Sequence, residues 1–242
     1  MRDLASSFGA AAAAYAEHRP NCAPAAVRWA LEHAPGPRVL DLGAGTGKLT
    51  GALGDDVIAV EPDPAMLAEL RRELPHVRAL AGSAEAIPLP DASVDAVLAG
   101  NALHWFDMAI AGPEIARVLA SGGVLAGLWN VMGDRVDWVA GLARVRGSAA
   151  IGPRDTFSTW RAATHLPGTP EQAEFPHGQR RTADSLVATL ATRAGMLVMP
   201  ESEREATLNR IRGFLASRPE TATGEFTLPM LTGVLRIVAA RQ

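Results

Sequence analysis

Apolar residues follow two rhythms along this chain. Through the first half, short unbroken apolar runs alternate with segments whose apolar positions recur every three or four residues. Unbroken runs of this length fit parallel strands buried on both faces, and the second rhythm fits amphipathic helices. The runs predict strands over 38–42, 57–60, 77–80, 94–99 and 123–129. Between them, Asp63 supplies an N-cap and Pro64 the first helical position; Met66, Leu67, Leu70 and Leu74 then repeat at helical spacing. Residues 113–119 form a second such segment, stopped by Gly122 and Gly123. The alternation predicts an α/β fold with a doubly wound, mostly parallel sheet.

The pattern changes after Asn130. Residues 135–150 read as helix, 151–181 are rich in Pro, Gly and Thr without a clean period, and 182–194 and 202–215 read as helices. The last of these opens on a capping box, Ser202 to Glu205. The end, "EFTLPMLTGVLRIVAA", reads as strand disturbed by Pro229. A helical cap and the last strands of the sheet are expected here.

Composition narrows the function classes. Of 242 residues, 48% are apolar and 20% charged, as in a soluble globular protein. The net charge of −3 and the single lysine, Lys48, leave no basic tract for nucleic acid. One cysteine, Cys22, allows no intramolecular disulfide, and the six histidines show no metal-ligand spacing. The alanine-rich stretch before Pro20 reads as an amphipathic helix, not a signal peptide, and no apolar run is long enough to span a membrane. A cytoplasmic location is expected.

The informative stretch is "VLDLGAGTGKLT", residues 39–50. A P-loop needs one more residue before the lysine and a Ser or Thr directly after it; Leu49 stands there. A dinucleotide fingerprint is G-x-G-x-x-G, whereas this loop is G-x-G-x-G with Asp41 two residues before the first glycine. A carboxylate there repels a pyrophosphate and attracts an ammonium group. The loop therefore suits a zwitterionic ligand such as S-adenosylmethionine, with its carboxylate at the N-terminus of the following helix and Lys48 on that helix's surface. Glu61, ending the second strand before Pro62, is placed for ribose hydroxyls.

With these residues in hand, the sequence resembles the class I S-adenosylmethionine-dependent methyltransferases, in particular the small-molecule branch of trans-aconitate methyltransferase-like proteins. The matching segments are "VLDLGAGTGKLT", "VEPDPAML", "GSAEAIPLPDASVDAV", "NALHWF" and "EIARVLASGGVLAGLWN", with a weaker match at Phe8, Tyr15, Arg19 and Pro20. The resemblance implies a Rossmann-like core at 36–134, N-terminal helices at 1–35, cap helices and insertions at 135–220 and a terminal strand at 221–242, all one domain. It implies that Asp41, Gly43, Ala44, Gly45, Thr46 and Gly47 hold the amino-acid tail, joined by Asn101 of the fourth strand, with Arg19 binding the cofactor's carboxylate or an acidic substrate. Glu61, Pro62 and Met66 would meet ribose and adenine, and Ser83, Ala84 and Glu85 the adenine edge. Ser83 stands where many relatives carry aspartate.

Candidate chemistry lies at the same strand ends. His104 is a candidate base or a structural histidine packed on Trp105. Tyr15, on the N-terminal helix and not at a strand end, is the second catalytic candidate, which the resemblance places near the cofactor. Trp105 and Phe106 would wall the pocket, and Asn130 would face substrate or cap the next helix. The reading is transfer of a methyl group to a small molecule, O-methylation of a carboxylate or hydroxyl, by a monomer or weak homodimer that binds neither nucleic acid nor membrane. A non-catalytic protein that binds S-adenosylmethionine or S-adenosylhomocysteine is the alternative.

Overall fold

The structure is a computed structural model that describes residue 16 and residues 20–54, 56–146 and 168–239. In chain order its elements are α1 (Pro24–Leu31), β1 (Val39–Leu42), β2 (Val57–Glu61), α2 (Pro64–Glu73), β3 (Arg78–Ala81), β4 (Val94–Gly100), α3 (Met108–Val118), β5 (Leu119–Met132), α4 (Asp137–Arg146), β6 (Pro170–Arg181), α5 (Ala183–Ala191), α6 (Ala194–Leu197), α7 (Glu201–Ala216) and β7 (Phe226–Val238). The strands form one seven-stranded sheet in the order β3-β2-β1-β4-β5-β7-β6. The first five are parallel; β7 runs antiparallel between β5 and β6. This is the Rossmann-like fold expected.

Both faces of the parallel half are covered, which is why its strands read as unbroken apolar runs. Leu40, Leu42 and Val97 pack with α3 through Ala111, Ile115 and Val118. Val39, Ala96 and Leu98 pack on the other face with α1 and with Leu70 of α2. A third cluster joins α4, α5 and α7 to the start of β7.

Several expectations change. The stretch without a clean period contains β6, a 12-residue edge strand. Its residues alternate between exposed and half-buried, and its Pro, Glu, Gln and Arg side chains leave no apolar signal. Such residues are common on sheet edges. Pro229 does not break β7: it pairs across to Gly178 of β6 at a point where β5 has already ended. Helix α3 begins at Met108, capped by Asp107, and stops at Val118, where the backbone turns extended at Leu119; Gly122 and Gly123 lie within β5. Helix α7 begins at Glu201 after Pro200 without a side-chain cap, so Ser202 is inside the helix.

Candidate active site

The glycine loop leaves β1 at the carboxyl edge of the sheet, next to the point where the order turns from β1 to β4. Ligands of open α/β sheets bind in that crevice. Gly43, Gly45 and Gly47 have φ of 69°, 57° and 86°, a region that costs other residues about 1–2 kcal/mol. Gly43 is also sterically required. A Cβ there would lie 2.8 Å from Ala102 Cβ and 3.3 Å from the Phe106 ring. The glycine loop and the "NALHWF" turn are thus in direct contact.

The α-helix expected after the loop does not form. Turns lead from Gly45 into a single 3-10 turn, Thr50–Ala52. Gly45, Gly47 and Gly51 fall within this span, and glycine weakens a helix interior by about 1 kcal/mol each. A helix N-terminus is therefore not what would hold a carboxylate here. Lys48 also departs from expectation: it is half-buried and lines the cavity beside Asp41.

Asp41 is fully buried on β1. Its Oδ2 accepts a hydrogen bond from Thr50 Oγ1 at 2.6 Å, while Oδ1 has no partner. Burial, aided by the charge of Glu61, pushes its pKa up to about 7 against the opposing Thr50 bond. Glu61, at the end of β2, is 5% exposed. Its two oxygens accept from Gly45 N–H and Asp63 N–H, each at 2.8 Å, so the carboxylate braces the loop. Burial raises its pKa.

Asn101, at φ 53°, ends β4 in the left-handed region. Its N–H donates to Leu128 O and its Oδ1 accepts from the Asn130 N–H at 3.1 Å. The turn Leu103–Trp105 follows. His104 is half-buried there, its ring 4.7 Å from the Trp105 ring. Its Nδ1 is buried without a partner, and burial lowers its pKa to about 4. The ring is therefore neutral at physiological pH.

One cavity gathers Asp41, Gly43, Ala44, Gly45, Asn101 and Asn130. Met66 flanks it, with Sδ 3.7 Å from where a Gly45 Cβ would stand. Thr46 and Gly47 do not line the cavity; they line a neighbouring depression with Leu74 and Glu73, and Lys48 borders both. Pro62 is exposed. Ser83, Ala84 and Glu85 follow β3; Ala84 is buried in the core that contains Ala102 and Leu103, and Glu85 accepts from the Asp107 N–H at 3.0 Å. Asn130 lines the cavity, but its amide is engaged by protein groups. Tyr15 and Arg19 lie outside the described residues. Pro20 and Cys22 line the cavity and were not legible as site residues, since "RPNCAP" has no periodic or catalytic signature. Burial pushes the Cys22 thiol up to about 12.

The arrangement fits S-adenosylmethionine. A buried carboxylate oxygen without a partner is costly unless a ligand donor meets it, and it lies beside backbone that glycine keeps open. Among the described residues no cluster of three or more His, Cys, Asp or Glu could hold a metal, and no helix is long and apolar enough to cross a membrane.

Known proteins agree. The family described as "Methyltransferase domain" matches residues 40–127. An uncharacterized methyltransferase of Mycobacterium tuberculosis is 42% identical over 243 residues, covering 99% of this chain and 98% of that protein. A solved structure of a type II methyltransferase candidate from Anaeromyxobacter dehalogenans is similar with a TM-score of 0.66 and 27% identity, over 92% of this chain and 97% of that one. A malonyl-acyl-carrier-protein O-methyltransferase of Halorhodospira halophila is 37% identical over 120 residues, 40% of this chain and 41% of that protein. The chain belongs to the class I S-adenosylmethionine-dependent methyltransferases, and S-adenosylmethionine is its cofactor.

Proposed function

We propose that this enzyme methylates an oxygen, a carboxylate or a hydroxyl, of a small molecule. The observation that carries the reading is the seating of the "NALHWF" turn on the glycine loop through Ala102 and Phe106. His104, in that turn and neutral, is not among the residues lining the cavity and is assigned to its mouth as part of the proposal. Bound S-adenosylmethionine supplies an electrophilic methyl group on a sulfonium that is already a good leaving group.

In this reading, Asp41 Oδ1 holds the cofactor's ammonium, the backbone of residues 43–45 lies along its tail, and Glu61 takes the ribose hydroxyls. Met66 and residues 83–85 border the adenine, and the family resemblance adds Tyr15 and Arg19 to the set of cofactor-side residues. The protein's main task is alignment of the acceptor, worth several kcal/mol and up to ~7–11 in favourable cases. A carboxylate acceptor needs no base. For a hydroxyl, His104 accepts the proton as the new bond forms and the oxygen becomes more acidic. With a pKa of about 4, the ring is too weak a base to ionise a free alcohol beforehand. The net charge of −3 favours a small acceptor over nucleic acid. The trans-aconitate-like motifs and the name of the Halorhodospira relative both favour oxygen as the acceptor atom.

A methyl-transfer assay over a panel of small carboxylates and hydroxyls, with wild type and His104→Ala, tests this. The expected loss is about 100-fold on a hydroxyl acceptor and little on a carboxylate. Equal losses on both would remove the base role. No product from any small acceptor, with cofactor binding intact, would replace the proposal with a non-catalytic binding protein.

A further inference from the structure

Three strands contribute one row of polar side chains beneath the segment that carries Pro20 and Cys22 into the cavity. Asn130 of β5 stands opposite Thr232 of β7, and His177 of β6 lies one step diagonally beyond. Asn130 and Thr232 are buried, at 6% and 0% exposure. Asn130 Nδ2 donates to Asn21 O at 2.6 Å and Pro20 O at 3.3 Å. Two carbonyl acceptors fix which way the amide points, so Oδ1 faces His177 Nε2 at 3.0 Å. Oδ1 can only accept; the imidazole therefore carries its proton on Nε2. Thr232 Oγ1 accepts from Ala23 N–H at 2.9 Å and lies 3.2 Å from Asn130 Oδ1.

Ala23 is the N-cap of α1 and has no side-chain oxygen of its own. A strand more than two hundred residues away thus does the capping. The backbone N–H of Asn130 donates to Oδ1 of Asn101, which follows the neighbouring strand β4 and lines the same cavity. Polar groups buried in a core are disfavoured unless every one is paired. Here the pairing is spent on locating Pro20 and Asn21, which lie in no helix or strand.

We propose that His177 is a positioning residue for methyl transfer: through the Asn130 side chain it fixes the Pro20–Asn21 carbonyls beside the cofactor. The proposal rests on the reading of this cavity as the cofactor site. His177 itself touches neither cofactor nor acceptor.

Calorimetric titration with S-adenosylhomocysteine, paired with melting temperatures, tests it on four proteins: wild type, His177→Ala, His177→Gln and Phe175→Leu. Phe175 lies on the same strand face, opposite Thr232, but packs its ring against Trp29 and brings no polar atom to the row. The expected result for His177→Ala is roughly tenfold weaker binding, the weight of about one hydrogen bond. His177→Gln, whose amide keeps a donor, restores affinity, while Phe175→Leu lowers the melting temperature and leaves affinity unchanged. Unchanged affinity in His177→Ala, no rescue by Gln, or equal weakening in Phe175→Leu would each overturn the proposal. Should His177→Ala fail to fold, His177→Phe takes its place, keeping ring packing without the donor. Absence of binding by wild type is a different failure, which would overturn the cavity's assignment itself.

Discussion

Asp41 and Arg236 are both buried charged residues on strands of one sheet, yet the protein treats them in opposite ways. Arg236, on β7, is 3% exposed. Its guanidinium bonds Glu171 and the Trp29 carbonyl, approaches Glu32 and lies 3.9 Å over the Trp29 ring. Every direction of that charge ends on protein, and the result ties α1 to the antiparallel edge. Asp41, on β1, has one oxygen bonded and the other unpartnered, facing a cavity. A charge satisfied internally is architecture. A charge left open at a sheet's carboxyl edge is a place for a ligand.

The sharpest way to break this contrast is Gly45→Arg. The Cβ itself has room, 3.7 Å from Met66 Sδ, but the long side chain would lie where the cofactor's tail runs. Loss of S-adenosylmethionine binding with the fold intact by circular dichroism is expected. Normal binding would show that the cavity is not the cofactor's. Next in size is Arg236→Met, which removes the charged donor shared by Glu171 and the Trp29 carbonyl, leaving that carbonyl only the Glu32 N–H, and is expected to cost about 2–3 kcal/mol in urea unfolding. Its effect on cofactor affinity should be small. A large one would erase the distinction between the two regions.

Asp41→Asn sharpens the comparison through pH. The folded-state pKa of Asp41 is raised, so its relative contribution to stability is fully present below the unfolded value of 3.8 and is lost as pH rises through about 7. The amide variant should show a flatter loss of stability between pH 4 and 7 and greater stability than wild type at pH 8, while binding cofactor more weakly. Identical pH profiles for the two proteins would mean that the buried carboxyl is not desolvated in solution. The smallest expected effect is at Ser202→Ala. Because Ser202 is exposed inside α7 and caps nothing, the melting curve should shift by less than about 0.5 kcal/mol. A cost near 1 kcal/mol would restore it as an N-cap.

The parallel half was legible because its signals are local. The glycines at positive φ, the Asp63 cap and the unbroken apolar runs each act within a few residues of themselves. Strand β6 was not legible, because an edge strand needs no apolar face and its pairing with β7 is specified by the neighbour. The same reasoning explains Lys48. Its place on a helix surface assumed a helix that three glycines prevented, and the side chain lines the cavity instead.

The sequence alone determined the fold class, the family and the place of the glycine loop, since each follows from short-range chemistry in unbroken segments. Tertiary structure decided which polar groups are satisfied. Asn130 bonds residues 109 and 110 positions earlier, and Thr232 meets a backbone N–H 209 positions earlier. A hydrogen bond between such partners leaves no periodic trace in the chain, because the distance that matters is across the sheet and not along the sequence.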